Sequence, residues 1–152
     1  MSDAIAVQVF PGRADQAAKV REWVRGLIPC DGDQLAVEDA ELIVSELFAN
    51  AVEHSRSGEP GGTVTVAVTE DGHIHVHDLG NGAGTPCASL APLAASNDLE
   101  DGRGLFCVAI LCDGQFWATP ATECPIGGPA VVGGCCVACH PHSWAPRTRV
   151  AA

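Results

Sequence analysis

The sequence predicts an α+β fold, and three observations along the chain indicate it. Two helical patterns occupy most of residues 13–56, and two strand patterns joined by an Asp-Gly turn follow them directly. Two further strand patterns come near the end of the chain, at Gly114 to Ala118 and at about Val131 to Cys139. Helices and strands that are grouped in this way, rather than strictly alternating, are typical of α+β domains.

Length and composition predict one folded domain. A chain of 152 residues is long enough to bury its own core, and 47% hydrophobic with 18% charged residues argues against wholesale disorder. We expect the domain to cover residues 1–140 and residues 141–152 to form a loose C-terminal tail. A net charge of -11 argues against direct nucleic-acid binding, because such a surface repels phosphates.

The beginning of the chain, MSDAIAVQVF, contains an acid and no long apolar run, which argues against a signal peptide. No segment of roughly 18 uninterrupted apolar residues is present to span a bilayer. We therefore expect a cytoplasmic protein with no membrane partner. In that compartment the eight cysteines are expected to be reduced thiols, most of which pack as small hydrophobes.

The first three elements follow from hydrophobic spacing. Ile5 to Phe10 predicts a short strand with Ile5, Val7 and Val9 on one face, and Pro11-Gly12 closes it. Arg13 to Ile28 predicts a surface helix, since its apolar residues recur at helical spacing with charges on the other side. Asp33 can cap a second helix that runs to about Arg56, where a glycine-rich and proline-containing stretch ends it.

The second helix carries two polar residues, Glu46 and Asn50, among apolar ones. At four residues apart they share one helical face, and their neighbours make the helix apolar nearly all round, which predicts an interior helix. Burying a carboxylate and an amide is costly without a strong partner. That partner could be a metal ion, an ordered water or a ligand, or the neighbouring backbone.

The next two strands, Thr63 to Thr69 and His73 to Asp78, form a predicted hairpin around Glu70-Asp71-Gly72. Alternation places Val64, Val66 and Val68 on the core face, and we expect Thr63, Thr65 and Thr69 to face solvent. His73, His75 and His77 lie opposite Ile74 and Val76. We expect these imidazoles to be exposed strand residues that bind metal only adventitiously.

Asp78 has the same parity as Ile74 and Val76, so its side chain should point inward where the strand gives way to Gly80-Asn81-Gly82. A carboxylate beside glycines suits a ligand, because the glycines let the backbone come close and the acid can accept from an amino group. A turn-capping aspartate is the alternative.

The stretch from Ala83 to Asp101 has no clear period, and a loop of that length is usually functional or disordered. It ends in Gly102-Arg103-Gly104-Leu105, which opens a short apolar helix pattern. Backbone N–H groups at a helix start can bind an anion such as phosphate. The two glycines could also simply mark the start of the helix.

The cysteines near the end of the chain offer a metal or haem alternative. Cys136-Val137-Ala138-Cys139-His140 matches the c-type haem attachment pattern. A zinc site could use Cys136, Cys139, His140 and His142, although a strand splays alternate side chains apart. We expect apolar packing of most of these thiols instead.

The order of the motifs resembles the histidine-kinase-like ATPase (GHKL) superfamily. Glu46-x-x-x-Asn50 on a buried helix is followed by Asp78-x-Gly80-x-Gly82, a variable loop, and Gly102-x-Gly104-Leu105 at a helix start. The short length and Phe10-Pro11-Gly12 before an Ala/Arg-rich helix resemble the bacterial anti-sigma-factor serine/threonine kinases. The resemblance covers about Val9 to Ala118. It implies a two-layer α/β sandwich of the Bergerat ATP-binding type, with a mixed, mostly antiparallel sheet and helices on one face.

The resemblance also implies roles for single residues. Asn50 would bind the Mg²⁺ that bridges the phosphates of ATP, and Asp78 would accept from the adenine amino group. Glu46 would be the general base for a serine or threonine hydroxyl of a partner protein. The residues that approach the base or the phosphates through their backbone and charge would be Gly80, Gly82, Gly102, Arg103 and Gly104. The implied partners are a sigma factor and its anti-anti-sigma antagonist, with a homodimer as the implied assembly.

Three hypotheses follow for the function. The first is an ATP-dependent protein serine/threonine kinase that sequesters a sigma factor and phosphorylates the antagonist. The second is a regulatory binding module that uses ATP without transferring phosphate. The third is a metal or haem protein that uses Cys136, Cys139 and His140.

Overall fold

A computed structural model describes residues 4–27, 34–69, 72–80, 116–120, 124 and 135–139 of the protein. Within these residues the elements are, in chain order, β1 (Ala4–Pro11), α1 (Ala17–Leu27), α2 (Gln34–His54), β2 (Thr63–Thr69), β3 (Ile74–Asp78), β4 (Phe116–Pro120) and β5 (Cys135–Cys139). A 3₁₀ turn, Ala14–Gln16, precedes α1, and another, Arg56–Gly58, follows α2. Each described α-helix and β-strand was predicted from the sequence, with bounds that agree within a few residues, whereas the two 3₁₀ turns were not predicted. The helix predicted after Gly104 and the predicted tail lie outside the described residues.

The five strands form one sheet in the order β1-β2-β3-β5-β4. Every neighbouring pair within the described residues is antiparallel. Together with helices packed on one face, this sheet confirms the predicted α+β class and its two-layer arrangement. None of the described helices combines the length and the apolar character needed to cross a membrane.

Two backbone hydrogen bonds close the hairpin between β2 and β3. The N–H of Thr69 donates to the carbonyl oxygen of His73 over 3.0 Å, and the N–H of Gly72 donates to the carbonyl oxygen of Thr69 over 3.1 Å. Gly72 has a φ of 87°, a left-handed conformation that glycine adopts without steric cost. The predicted Asp-Gly turn is therefore confirmed at its glycine.

The hydrophobic core lies between the helices and one face of the sheet. The strands contribute alternate residues to it, as the period of two requires. The buried core members are Phe10, Val20, Val24, Ala40, Ile43, Val44, Leu47, Phe48, Ala51, Val64, Val66, Val68, Ile74, Val76 and Val137. The ring of Phe10 meets those of Trp23 and Phe48 edge to face, with centroids 5.7 and 6.5 Å apart. These contacts attach β1 to both helices.

The expectation that α2 is interior on all sides is wrong. Leu42 is 42% exposed, whereas Ile43 and Val44 are fully buried. One flank of α2 is tied to α1 by polar contacts, in which Arg25 pairs with Glu41 and Arg21 donates to Ser45 Oγ over 3.1 Å. α2 has more apolar residues than its buried side contains. A helix that packs on one face of a sheet keeps its opposite side exposed to solvent, so some of these apolar residues lie at the surface.

The expectation that the second face of the sheet is solvent-exposed is also wrong. Thr65 and Thr69 are 2% and 1% exposed, and His75 and His77 are 8% and 5% exposed. We call this the outer face. Among the described residues, its exposed part is the β1 edge, where Val7 and Val9 lie opposite Ala67 and Thr65, while Thr63 and His73 are half-buried. Alternation shows which residues share a face, but it does not show whether that face is covered.

Candidate functional site

Asn50 and Glu46 lie one turn apart on α2, as the sequence predicts. Asn50 is 8% exposed and sits between core positions, while Glu46 is half-buried. Among the described residues, Nδ1 of His77 is the only buried side-chain nitrogen or oxygen without a hydrogen-bond partner, so the Asn50 amide is not an unsatisfied buried group. The amide oxygen of Asn50 is a hard donor of the kind that Mg²⁺ prefers, so its chemistry fits that ion.

Asp78 ends β3 and is 6% exposed, on the same side of the strand as Ile74 and Val76. All five residues of β3 are buried, so burial does not identify the face, but the unbroken pairing of Ile74 to Asp78 with β5 keeps Asp78 on the core face, as predicted. Its Oδ1 accepts from the N–H of Gly80 over 2.7 Å, which is the turn-capping bond that the alternative interpretation predicts. The two interpretations are compatible, since a carboxylate can accept several hydrogen bonds at once.

Gly80 turns the chain out of β3 with a φ of 76°. A side chain is disfavoured at this conformation, so the backbone favours glycine here. Gly80 is itself buried. The bond from its N–H to Asp78 thus fixes the direction in which the chain leaves the strand.

A chain of hydrogen bonds attaches this strand end to the end of α2. The N–H of Arg56 donates to the carbonyl oxygen of Gly80 over 2.6 Å, and the N–H of Leu79 donates to Ser57 Oγ over 3.0 Å. The N–H of Ser57 in turn donates to Ser55 Oγ, which donates to the carbonyl oxygen of Ala51. We call these bonds the α2–β3 junction. They hold the helix that carries Asn50 and the strand that carries Asp78 in one fixed arrangement.

Sequence reasoning did not identify Ser55 and Ser57 as part of the site. Ser57 is completely buried, which is costly for a hydroxyl unless it is hydrogen-bonded. The signal available in the sequence is a Ser-x-Ser pair directly after the helix, since such serines often bond to nearby backbone groups. Nothing in that pattern indicates that the partner is Leu79, which lies far along the chain.

Three glycines pack against the backbone of this junction. A Cβ on Gly12 would lie 1.7 Å from the carbonyl oxygen of Ser57, and one on Gly62 would lie 2.2 Å from the same atom. A Cβ on Gly58 would lie 2.0 Å from the carbonyl oxygen of Val52. Gly12 also donates to the carbonyl oxygen of Gly62 over 2.9 Å. Their lack of side chains therefore allows β1 and the start of β2 to approach the junction.

The other predicted site residues, Gly82, Gly102, Arg103 and Gly104, lie outside the described residues. The structure thus brings together the elements that carry Glu46, Asn50, Asp78 and Gly80, since α2 packs directly on β3. An open recess of about 220 Å³ beside the junction is lined by Arg56, Glu59, Pro60, Gly61, Gly62 and Leu79. It includes neither Asn50 nor Asp78, and it is smaller than most ligand pockets.

Of the four side chains in the C-terminal metal or haem hypothesis, the structure describes only that of Cys136. That thiol is buried, and its Sγ lies 3.4 Å from Nδ1 of His75. The side chain of Cys139 and all of His140 and His142 lie outside what the structure describes. The expected apolar packing of most thiols stays a prediction, since Cys136 is buried but has an imidazole nitrogen beside it.

A family model described as the histidine kinase-like ATPase domain matches residues 10–117. The match spans well over half of the chain and includes all eight predicted site residues, from Glu46 to Gly104. It ends within β4, before Cys124 and β5. A search of curated proteins found no similar sequence.

Proposed function

Because the chain belongs to the histidine kinase-like ATPase family, we propose that it binds Mg²⁺-ATP at the α2–β3 junction and acts as an anti-sigma-factor serine/threonine kinase. In this proposal the protein sequesters a sigma factor and phosphorylates the antagonist that would release it. ATP binding is the part that family membership itself supports. The protein kinase activity and both partners are the further step.

The observation that carries the proposal is the arrangement of Asn50 and Asp78. Both side chains are buried, and each belongs to one of two elements joined by hydrogen bonds from Arg56 and Leu79. A buried amide and a buried carboxylate in one rigid arrangement can orient a polar ligand without reorganisation of the protein.

Each residue has a distinct part in the proposed reaction. Asp78 accepts from the adenine amino group, while Gly80 keeps the backbone close to the base. Asn50 holds Mg²⁺ through its amide oxygen, and that ion neutralises phosphate charge when bound. Glu46, one turn before Asn50, accepts the proton of the attacking serine or threonine hydroxyl. Gly102, Arg103 and Gly104 contact the phosphates through N–H groups and the guanidinium.

Calorimetric titration with Mg²⁺-ATP tests the binding step. The parent protein is expected to bind saturably, and Asn50→Ala and Asp78→Asn are expected to lose binding. Asp78→Asn is the sharper variant, because an amide oxygen can still accept from Gly80 and preserve the turn. Asp15→Asn is its matched control, since Asp15 is exposed and pairs only with Arg13 among the described residues. Unchanged binding by Asp78→Asn would overturn the proposed adenine contact.

Phosphate transfer is tested separately with γ-labelled ATP and the protein fraction of a lysate from the source cells. Glu46→Gln is expected to retain ATP affinity and lose transfer, whereas Glu53→Gln, at an exposed position of the same helix, is expected to retain both. Phosphoamino-acid analysis identifies the acceptor as serine or threonine. ATP binding without any labelled acceptor would contradict the kinase and favour the regulatory binding module.

A further inference from the structure

The outer face of the sheet holds a compact cluster of four potential metal ligands. His75 and His77 come from β3, Cys136 comes from β5, and Cys124 comes from the connection between β4 and β5. One ligand atom from each residue lies within 4.8 Å of all the others. His77 and Cys136 are direct partners in the sheet register, so three of the four ligands are positioned by paired strands.

The spacing of these atoms suits a tetrahedral ion. Nδ1 of His75 lies 3.4 Å from Sγ of Cys136 and 3.7 Å from Sγ of Cys124, and Nε2 of His77 lies 3.5 Å from Sγ of Cys124. In a zinc tetrahedron with Zn–S bonds of about 2.3 Å and Zn–N bonds of about 2.05 Å, neighbouring S and N atoms are about 3.6 Å apart. The three measured edges therefore need little adjustment.

Hydrogen bonding between thiols and imidazoles explains the cluster less well. Sγ of Cys124 lies near both imidazoles, but a thiol has only one proton to donate. Nδ1 of His77 is buried without a hydrogen-bond partner among the described residues, but Nε2 is the ring nitrogen that faces Cys124, so this orphaned atom does not distinguish a bound ion from hydrogen bonding.

We propose that His75, His77, Cys124 and Cys136 bind one Zn²⁺ ion in tetrahedral coordination. Two thiolates and two imidazoles form a donor set that selects zinc in this geometry, and binding releases the two thiol protons. The two cysteines are not joined in a disulfide. Because Cys124 lies outside the strands, the ion fastens the β4–β5 connection to the middle of the sheet.

This site is separate from the proposed ATP site. The two cysteines lie beyond the part of the chain that matches the ATPase family, and the cluster is on the face opposite the helices. It also differs from the Cys136, Cys139, His140 and His142 set considered from the sequence, with which it shares only Cys136. Its test does not depend on nucleotide binding.

Metal analysis of protein purified without a His-tag, under reducing conditions, is the first test. The parent protein is expected to contain about one zinc per chain, with two sulfur and two nitrogen neighbours at about 2.3 and 2.0–2.1 Å in X-ray absorption. Cobalt(II) in place of zinc is expected to give tetrahedral d–d bands and a thiolate charge-transfer band. The proposal would be overturned if the coordination shell of the zinc contained no sulfur, or if zinc-free protein failed to take up added zinc.

Matched variants identify the ligands. Cys124→Ser and Cys136→Ser are each expected to lower the zinc content and to remove one sulfur from the shell. Cys139→Ser and His73→Gln, neighbours of the cluster in sequence, are expected to keep both. Retention of zinc with an unchanged shell in the Cys124→Ser/Cys136→Ser double variant would overturn the assignment. If the variants do not fold, the absorption spectrum of the parent protein still decides the proposal.

Discussion

His77 and Asp78 are consecutive residues of β3 whose side chains are buried on opposite faces of the sheet. His77 belongs to the outer-face cluster, whereas Asp78 points toward the helices and accepts from Gly80. Their opposite directions follow from the alternation of side chains along a strand. One five-residue strand therefore carries both the proposed zinc ligands His75 and His77 and the proposed adenine acceptor.

Removal of zinc is expected to weaken ATP binding about fivefold, which corresponds to a coupling free energy of about 1 kcal/mol. The physical reason is that an ion bound by His77 limits movement of β3 and so fixes the position of Asp78. Calorimetric titration of zinc-loaded and zinc-free protein with Mg²⁺-ATP measures this difference. Cys136→Ser is the control, because chelation should leave its ATP affinity unchanged. Equal affinities in the two forms of the parent would show that the two faces act independently.

Ser57→Ala is expected to lower the free energy of unfolding by about 1–3 kcal/mol. The substitution removes the oxygen of fully buried Ser57 that accepts from the N–H of Leu79, and it leaves that half-buried donor without its partner. Because this bond is part of the α2–β3 junction, ATP affinity should fall as well. Urea denaturation measures the first effect, and calorimetric titration measures the second.

Ser45→Ala provides the matched control for this prediction. Ser45 Oγ accepts only from Arg21 among the described residues, at a half-buried position of α2. Alanine also has a higher helix propensity than serine, so we expect a change within about 0.5 kcal/mol. A similar loss of stability in both variants would contradict a special role of the junction.

Much of the fold could be predicted because hydrophobic spacing and turn residues agree along the chain. The alternation of Val64, Val66 and Val68 identified the core face of β2, and the glycine at position 72 marked the hairpin. The burial of Thr65 and His75 could not be predicted. The period of two separates the faces of a strand, but cover on the second face depends on distant parts of the chain.

In the candidate site, too, some features could be predicted from the sequence and others could not. The parity of β3 correctly predicted that Asp78 points inward, and helical spacing placed Asn50 and Glu46 one turn apart. Their roles in ATP binding stay predictions. The contact of Ser57 with Leu79 and that of Cys124 with His77 join residues distant in sequence, so local patterns contain no signal for either pair.

Gly12→Ala and Gly26→Ala are expected to change stability in opposite directions. A Cβ on Gly12 would lie 1.7 Å from the carbonyl oxygen of Ser57, so backbone must move and the loss should be about 3 kcal/mol or more. Gly26 lies within α1 with no atom within 4 Å of a new Cβ. Alanine there should therefore add about 0.5–1 kcal/mol through helix propensity. Thermal and urea unfolding measure both; a loss below about 1 kcal/mol for Gly12→Ala would mean that the junction yields easily.

Phe10→Ala and Val9→Ala test which face of β1 supports the fold. Phe10 is 4% exposed and contacts Trp23 and Phe48 edge to face, whereas Val9 is 50% exposed on the outer face. Truncation of Phe10 removes core packing and leaves a cavity, so we expect a loss of about 3–5 kcal/mol. Val9→Ala should cost less than about 1 kcal/mol, mainly through strand propensity. The free energy of unfolding in urea distinguishes them, and a comparable loss in both variants would indicate that the outer face of β1 is covered in solution.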